Sequence, residues 1–173
     1  MRKVLIWIIG IIVVAGLVYG GVMYRERDLQ GKIQQAHQDF STALEEFEPG
    51  PELPKHFSLM SWEAQKAYLE KEVYPQRQAR LDQAEAHLVT IGDMGGKVWD
   101  RKLSGDLKRY EMKAWDLLET YNKAWENEKA IDKAYYSEDW KERQKLALER
   151  PKLLEDRETL EREAEKLWKA TGL

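Results

Sequence analysis

An uncharged stretch of 21 residues, Val4 to Tyr24 (VLIWIIGIIVVAGLVYGGVMY), constrains this chain more than any other feature. As a helix rising 1.5 Å per residue it measures about 31 Å, close to the thickness of a bilayer's hydrocarbon core. A helix satisfies its own backbone polar groups in lipid, and Trp7, Tyr19 and Tyr24 lie toward the ends of the run, where amphipathic rings favour the membrane interface. The run therefore predicts one N-terminal transmembrane anchor, residues 1–24, followed by a helical domain, residues 25–173. A cleaved secretory signal also begins with basic residues such as Arg2-Lys3, but its apolar core spans only about 7–15 residues before a small-x-small cleavage site. Val18-Tyr19-Gly20 is a poor cleavage site, so the segment is read as retained.

Within the run, Gly16 and Gly20 make a GxxxG pattern that removes side-chain bulk from one helix face and favours close approach of a second membrane helix. Arg2 and Lys3 on one side face Arg25, Arg27 and Lys32 on the other, so charge alone leaves the orientation almost balanced. A short basic tip before a first apolar segment is the pattern of a signal anchor. The expectation is an integral, single-pass membrane protein with a cytoplasmic N-terminus and the C-terminal domain outside the cytoplasm.

The rest of the chain reads as all-α. Leu29, Ile33, Ala36, Phe40, Ala43 and Phe47 recur at alternating spacings of four and three, the seam of a helix that packs on other helices. No strong breaker separates this seam from the apolar run, which predicts one rod from about Val4 to Glu48. Residues 49–57 (PGPELPKHF) hold three prolines and a glycine and must turn the chain. Ser61 is a candidate N-cap for a second helix over 61–91, with Pro75 expected to kink or split it near Val73 and Gly92, Gly95 and Gly96 to end it in a short loop around Asp93 and Met94. A third helix is expected over 98–136, its start anywhere between Val98 and Asp106 and Ser104-Gly105 a cap or mild interruption. It carries Leu107, Tyr110, Ala114, Leu117, Tyr121, Ala124, Ile131 and Tyr135 on one stripe broken by Glu128. Ser137 is the expected cap of a fourth helix over 138–170. There Leu146, Leu153, Leu160 and Leu167 fall seven apart, while the companion seam holds Arg150, Arg157 and Ala164 and Pro151 interrupts the hydrogen bonding. These elements imply an antiparallel bundle of about four helices with coiled-coil-like packing and no sheet.

Functional signals are sparse. The net charge of −3, which becomes −5 when Arg2 and Lys3 are set aside with the anchor (−3 − 2), offers no basic stripe for nucleic acid. Cysteine is absent, and His37, His56 and His87 stand far apart outside any metal-ligand spacing. No catalytic, cofactor-binding or metal-binding residue is assigned, and the chain is not expected to be an enzyme. The acidic groups 45–48 and 161–165 read as solvated helix faces. The informative excess is aromatic: seven Trp and eight Tyr. Most are expected in the core, with Trp115, Tyr121, Trp125 and Tyr135 as a candidate partner or ligand patch. Beside the bilayer, the expected partner is another protein or a second copy of the chain. The function read from these features is a membrane-anchored scaffold or accessory subunit; the alternative is a sensory bundle that binds a small molecule in an aromatic-lined pocket between helices.

Overall fold

The computed structural model describes the backbone of residues 2–47 and 53–173 and the side chains of residues 13–47 and 53–173. Over these residues the chain is helical without strands, a bundle built from α1 (Arg2–Phe47), α2 (Trp62–Tyr68), α3 (Tyr74–Gly95), α4 (Arg101–Tyr136) and α5 (Trp140–Thr171). The expected rod is present as one helix of 46 residues, about 69 Å at 1.5 Å per residue. Its expected end at Glu48 and the Pro49-Gly50-Pro51 turn lie outside the described residues.

Among the described residues no helix is long and apolar enough to cross a membrane. The expected anchor, Val4 to Tyr24, has its first nine residues outside the described side chains. From Val13 the uncharged run continues for only twelve residues before Arg25, about 18 Å of helix, short of a bilayer core.

The four long helices run up-down-up-down. Glu46 and Arg80 pair at 2.8 Å and Asp39 approaches His87 at 4.0 Å, which sets α1 antiparallel to α3. Tyr74 to Asp132, 2.9 Å, and Trp125 to Gln78, 3.2 Å, set α3 against α4. Lys113 to Glu163, 3.1 Å, and Tyr121 to Glu161, 2.6 Å, do the same for α4 and α5. The square closes where Trp168 of α5 stacks on His37 of α1, with ring centroids 3.7 Å apart.

The core follows the seam spacing. Ile33, Ala36, Phe40, Ala43, Leu44 and Phe47 of α1 meet Leu81, Ala84, Leu88 and Ile91 of α3 and Leu107, Tyr110, Ala114, Leu117, Leu118, Tyr121 and Trp125 of α4. Small Ala84 and Ala114, both fully buried, let backbones approach, while Trp125, 1% exposed, fills the wider end. Its ring is met edge-on by Phe47 and Tyr74 at centroid distances of 5.9 and 5.3 Å. α5 buries few side chains: among its described residues only Ala164 is buried, and Leu160, Leu167 and Trp168 pack partly against the core. The leucine heptad is thus used in its second half, and Arg157 of the companion seam lays its guanidinium over Tyr121 at 5.1 Å.

Several boundaries differ from expectation. α3 runs through Gly92, Asp93 and Met94 to Gly95, because glycine tolerates helical backbone when the surrounding turn is packed; Gly96, at φ −66, still has right-handed geometry. Asp100 caps α4, accepting from the Lys102 and Leu103 amides at 2.8 and 3.1 Å, so Ser104 and Gly105 lie inside the helix and Ser104 Oγ instead donates to the Gly95 carbonyl. Ser137 follows the end of α4 rather than starting α5. The chain reverses at Glu138, φ 60, whose successor Asp139 donates its amide to the Ala134 carbonyl, closing the helix end as a Schellman turn. Asp139 then caps α5 through the Glu142 amide at 3.1 Å. Ser61 caps α2 as expected, and the split near Val73 takes the form of a π-helical turn, Leu69–Val73, ahead of Pro75. α5 continues as one helix through Pro151, and Asn127 Nδ2 donates to the Leu146 carbonyl, tying this part of α5 to α4.

Trp125→Ala removes the largest core side chain and should destabilise the fold by about 3–5 kcal/mol, a large share of a small domain's stability. Thermal unfolding of the full chain in detergent, followed by far-ultraviolet circular dichroism, would show a large fall in melting temperature; a change of a degree or two would contradict this packing.

Candidate functional site, an aromatic cleft at the far end of the bundle

The end of the bundle remote from the apolar run of α1 carries a cleft of about 540 Å³ between the π-turn, the last turns of α4 and the first turn of α5. The π-turn creates it. One extra residue in a helical turn shifts the following face, and Pro75 cannot donate back to restore α-geometry, so Val73 and Tyr74 swing toward α4. Tyr74 Oη donates to Asp132 Oδ2 at 2.9 Å. Four residues before Asp132 on α4, Glu128 pairs with Arg77 at 3.0 Å.

Arg77 is held unusually tightly for an arginine. Its side chain is 12% exposed and its guanidinium lies 4.5 Å from both the Phe47 and Trp125 ring centroids. Arg77 Nε is buried with no hydrogen-bond partner among the described residues. Burial raises the Asp132 carboxyl above its ordinary range, opposed by the hydrogen bond from Tyr74 and reinforced by the nearby Glu128 charge. Burial, and secondly Asp132 itself, pushes the Tyr74 phenol well above its usual range, so it stays a donor at any physiological pH.

At the mouth of the cleft, aromatic faces take over. Trp62 lies tilted on Tyr135 at 5.2 Å and edge-on to Tyr136 at 6.3 Å, and Trp140 meets Tyr135 edge-on at 6.1 Å. Arg143 sits over both Tyr135 and Trp140, at 4.7 and 5.2 Å. Trp62, Trp140, Leu53 and Leu59 are exposed, giving this end a run of large apolar surface beside fixed cations. Such an arrangement is suited to hold aromatic or acidic groups through ring faces and guanidinium groups.

Of the four aromatics expected as a patch, only Tyr135 lies at this mouth. Trp125 forms the cleft's floor as a core residue, Tyr121 is buried one turn further along, and Trp115 packs partly against the core, some twenty residues of helix from Tyr135. The residues the sequence did not single out are Tyr74, Arg77, Asp132 and Arg143. Glu128 breaking the α4 stripe was the one local sign that a charged partner would have to come from elsewhere. Among the described residues no group of three or more His, Asp or Glu gathers with metal-binding geometry.

A second seam, between α1, α4 and α5, holds His37. Its Nδ1 is 2.8 Å from Tyr110 Oη, and burial lowers its pKa to about 4, so the imidazole is neutral at ordinary pH. Compared with known proteins, the chain matches no family model, and neither a curated protein nor a solved structure matches it.

A carboxyl whose folded pKa is raised adds stability below its unfolded value, and that stability disappears as pH rises through the folded value. Asp132→Asn, which keeps the acceptor for Tyr74, should therefore raise the melting temperature at neutral pH, with the advantage closing below about pH 4. An Asn variant less stable than the parent at neutral pH would contradict the assigned burial. For His37 the folded value is depressed, so its contribution is present above about pH 6.5 and lost as pH falls toward 4. Paired pH titrations of stability should show a shallower slope for His37→Gln across that window, and parallel curves would refute a buried neutral imidazole.

Proposed function

We propose that this chain is a membrane-anchored helical scaffold or accessory subunit, with the bundle held beside the bilayer by the first half of α1 and presenting the aromatic cleft end to a protein partner. One observation carries the reading. The two halves of a single helix have opposite surroundings: Ile33 to Phe47 are core, whereas Val13, Val14, Leu17, Val18, Tyr19 and Tyr24 are exposed, Leu17 to 72%. Among the described residues nothing covers that apolar surface, and a lipid phase is the solvent that suits it. Together with the preceding uncharged residues it makes the 21-residue span Val4 to Tyr24. Gly16 and Gly20 have nothing within 4 Å, which leaves their face open to a second membrane helix, from the partner or from another copy. The bundle is placed outside the cytoplasm on the signal-anchor pattern at Arg2-Lys3.

At the other end, Leu59, Trp62 and Trp140 with Arg143 have the make-up of an interface hot spot, where Trp, Tyr and Arg dominate binding energy. The work proposed for this end is binding rather than catalysis. A second reading, a sensory bundle, is favoured by the cleft behind that surface. Tyr74 Oη, the unpaired Arg77 Nε and the Trp125 ring line a space large enough for a small molecule.

Five measurements test these readings. Carbonate washing of membranes should leave the full chain in the pellet, and protease added to intact cells should reach the bundle; release into the supernatant would remove the tether. Photo-crosslinking residues placed at Leu59 and Trp140 should yield one common adduct absent from a site at Met112, which is exposed on α4 away from this end. Trp140→Ala should weaken that partner's binding about tenfold or more, the scale of a hot spot. Equal crosslinking at all three positions, or none, would count against a docking surface here, while a ligand that raises the melting temperature only when Arg77 is intact would favour the sensory reading.

A further inference from the structure

The loop between α3 and α4 lies at the opposite end of the bundle from the cleft, and it carries an exposed tryptophan. Trp99 is 65% exposed, and its amide donates to Glu26 Oε2 at 3.3 Å. Glu26 is two residues beyond Tyr24, the last uncharged residue of the apolar run, a separation of about 3 Å along the helix axis. The loop is therefore pinned beside the point where α1 changes from apolar to charged. It is also the part of the bundle nearest the run: Trp168, close to the end of α5, is level with His37, some eleven residues further along α1.

Charge is unevenly distributed here. Across residues 25–28 and 97–102 there are five basic groups, Arg25, Arg27, Lys97, Arg101 and Lys102, and three acidic ones, Glu26, Asp28 and Asp100, an excess of +2 in a chain of net −3. All three acids are engaged within the protein. Glu26 accepts from Trp99, Asp28 pairs with Lys32 at 2.7 Å, and Asp100 caps α4. The five basic residues are exposed. An indole with flanking Lys and Arg at the rim of an apolar helix has the chemistry of a membrane–water interface, where the ring sits among headgroups and the cations meet lipid phosphates.

We propose that the α3–α4 loop seats on anionic phospholipid, with Trp99 in the headgroup layer and Lys97, Arg101 and Lys102 on the phosphates. This contact rests on the tether reading above and adds to it: a second point of attachment, 73 residues along the chain from Glu26, fixes the bundle's tilt and rotation on the bilayer. A helix alone leaves both free.

The test uses the full chain reconstituted into vesicles of phosphatidylcholine alone or mixed with phosphatidylglycerol, each containing brominated lipid. The Trp99 signal is taken as the emission of the parent minus that of Trp99→Phe, which isolates it from the other tryptophans. In the mixed vesicles that signal should be blue-shifted and quenched by bromine. Most of the quenching should be lost in phosphatidylcholine alone, and in the mixed vesicles after Lys97→Gln, Arg101→Gln and Lys102→Gln together. Protein that stays with the vesicles through a carbonate wash while Trp99 emission remains red-shifted and unquenched overturns the lipid contact and leaves the tether standing. Protein that washes off overturns both. Quenching that is equal in the two vesicle types and indifferent to the triple substitution overturns the assignment to anionic headgroups.

Discussion

Six side chains of α1, Ile33, Ala36, Phe40, Ala43, Leu44 and Phe47, are the constraint on which the rest of the structure depends. They fill the groove that α3 and α4 leave between them, and without them Leu81, Leu88, Tyr110, Tyr121 and Trp125 would each lose a wall. The helix that completes the core is also the helix that carries the apolar run. The position of the run is therefore fixed relative to the bundle, since α1 is continuous from Arg2 to Phe47. A flexible linker at residue 25 would have separated the two, but residues 25–32 offer no breaker stronger than Gly31, which the helix absorbs.

Aromatic side chains do different work along the same axis. In the middle of the bundle Trp125 is apolar volume, with its indole N–H spent on Gln78 and its faces on Arg77 and Lys129. Toward the apolar run, Trp168 lies flat on a histidine that burial keeps neutral; a charged imidazole there would need an anion that the stack does not supply. At the cleft end, Trp62, Tyr136 and Trp140 gather around Tyr135, Trp62 tilted on it and the other two edge-on. The same end holds the π-turn, the left-handed Glu138, a carboxyl raised by burial and an arginine nitrogen without an acceptor. Departures from ideal helix geometry cluster at this end, whereas buried polar atoms without a partner among the described residues are spread along the bundle, from Glu26 Oε1 beside the apolar run to Arg77 Nε at the cleft.

Helix type and core were legible in the sequence because they depend on periodicity, which is local. The alternation from Ile33 to Phe47 and from Leu107 to Tyr121 marked faces that are in fact buried, and Ser61 marked a real cap. The ends of helices were less legible. Gly92 reads as a stop only if its neighbours leave it exposed, and Ser137 reads as a cap only if the chain does not turn left-handed one residue later at Glu138, a conformation that no residue type there announces. The cleft was nearly illegible. Arg77 and Glu128 are 51 residues apart and Tyr74 and Asp132 are 58 apart, so their pairing depends on the register between α3 and α4, and that register is set by the π-turn and by the apolar contacts of Leu81 and Trp125 rather than by any motif. Selecting Trp115, Tyr121, Trp125 and Tyr135 by residue type mixed core rings with one surface ring, because ring chemistry is the same in both places and only burial distinguishes them.

A rigid link between the apolar run and the core has a geometric consequence for the proposed tether. From Tyr24 to Phe47 the helix rises about 35 Å, so the cleft end stands at a fixed height above the surface on which the apolar run would end. The seam from Ile33 to Phe47 stiffens that length on the sides facing α3, α4 and α5, which keeps bending small compared with a lone helix. On the proposed tether, a partner meeting Trp62, Trp140 and Arg143 would have to present its own site at that height, with α1 as the spacer. Lengthening α1 by one residue between Arg25 and Leu29, ahead of the core seam, would raise the bundle by only about 1.5 Å but rotate it by about 100° relative to the run, turning the cleft away from any partner fixed in the same membrane. Rotation, rather than distance, is the quantity such a spacer controls most sharply.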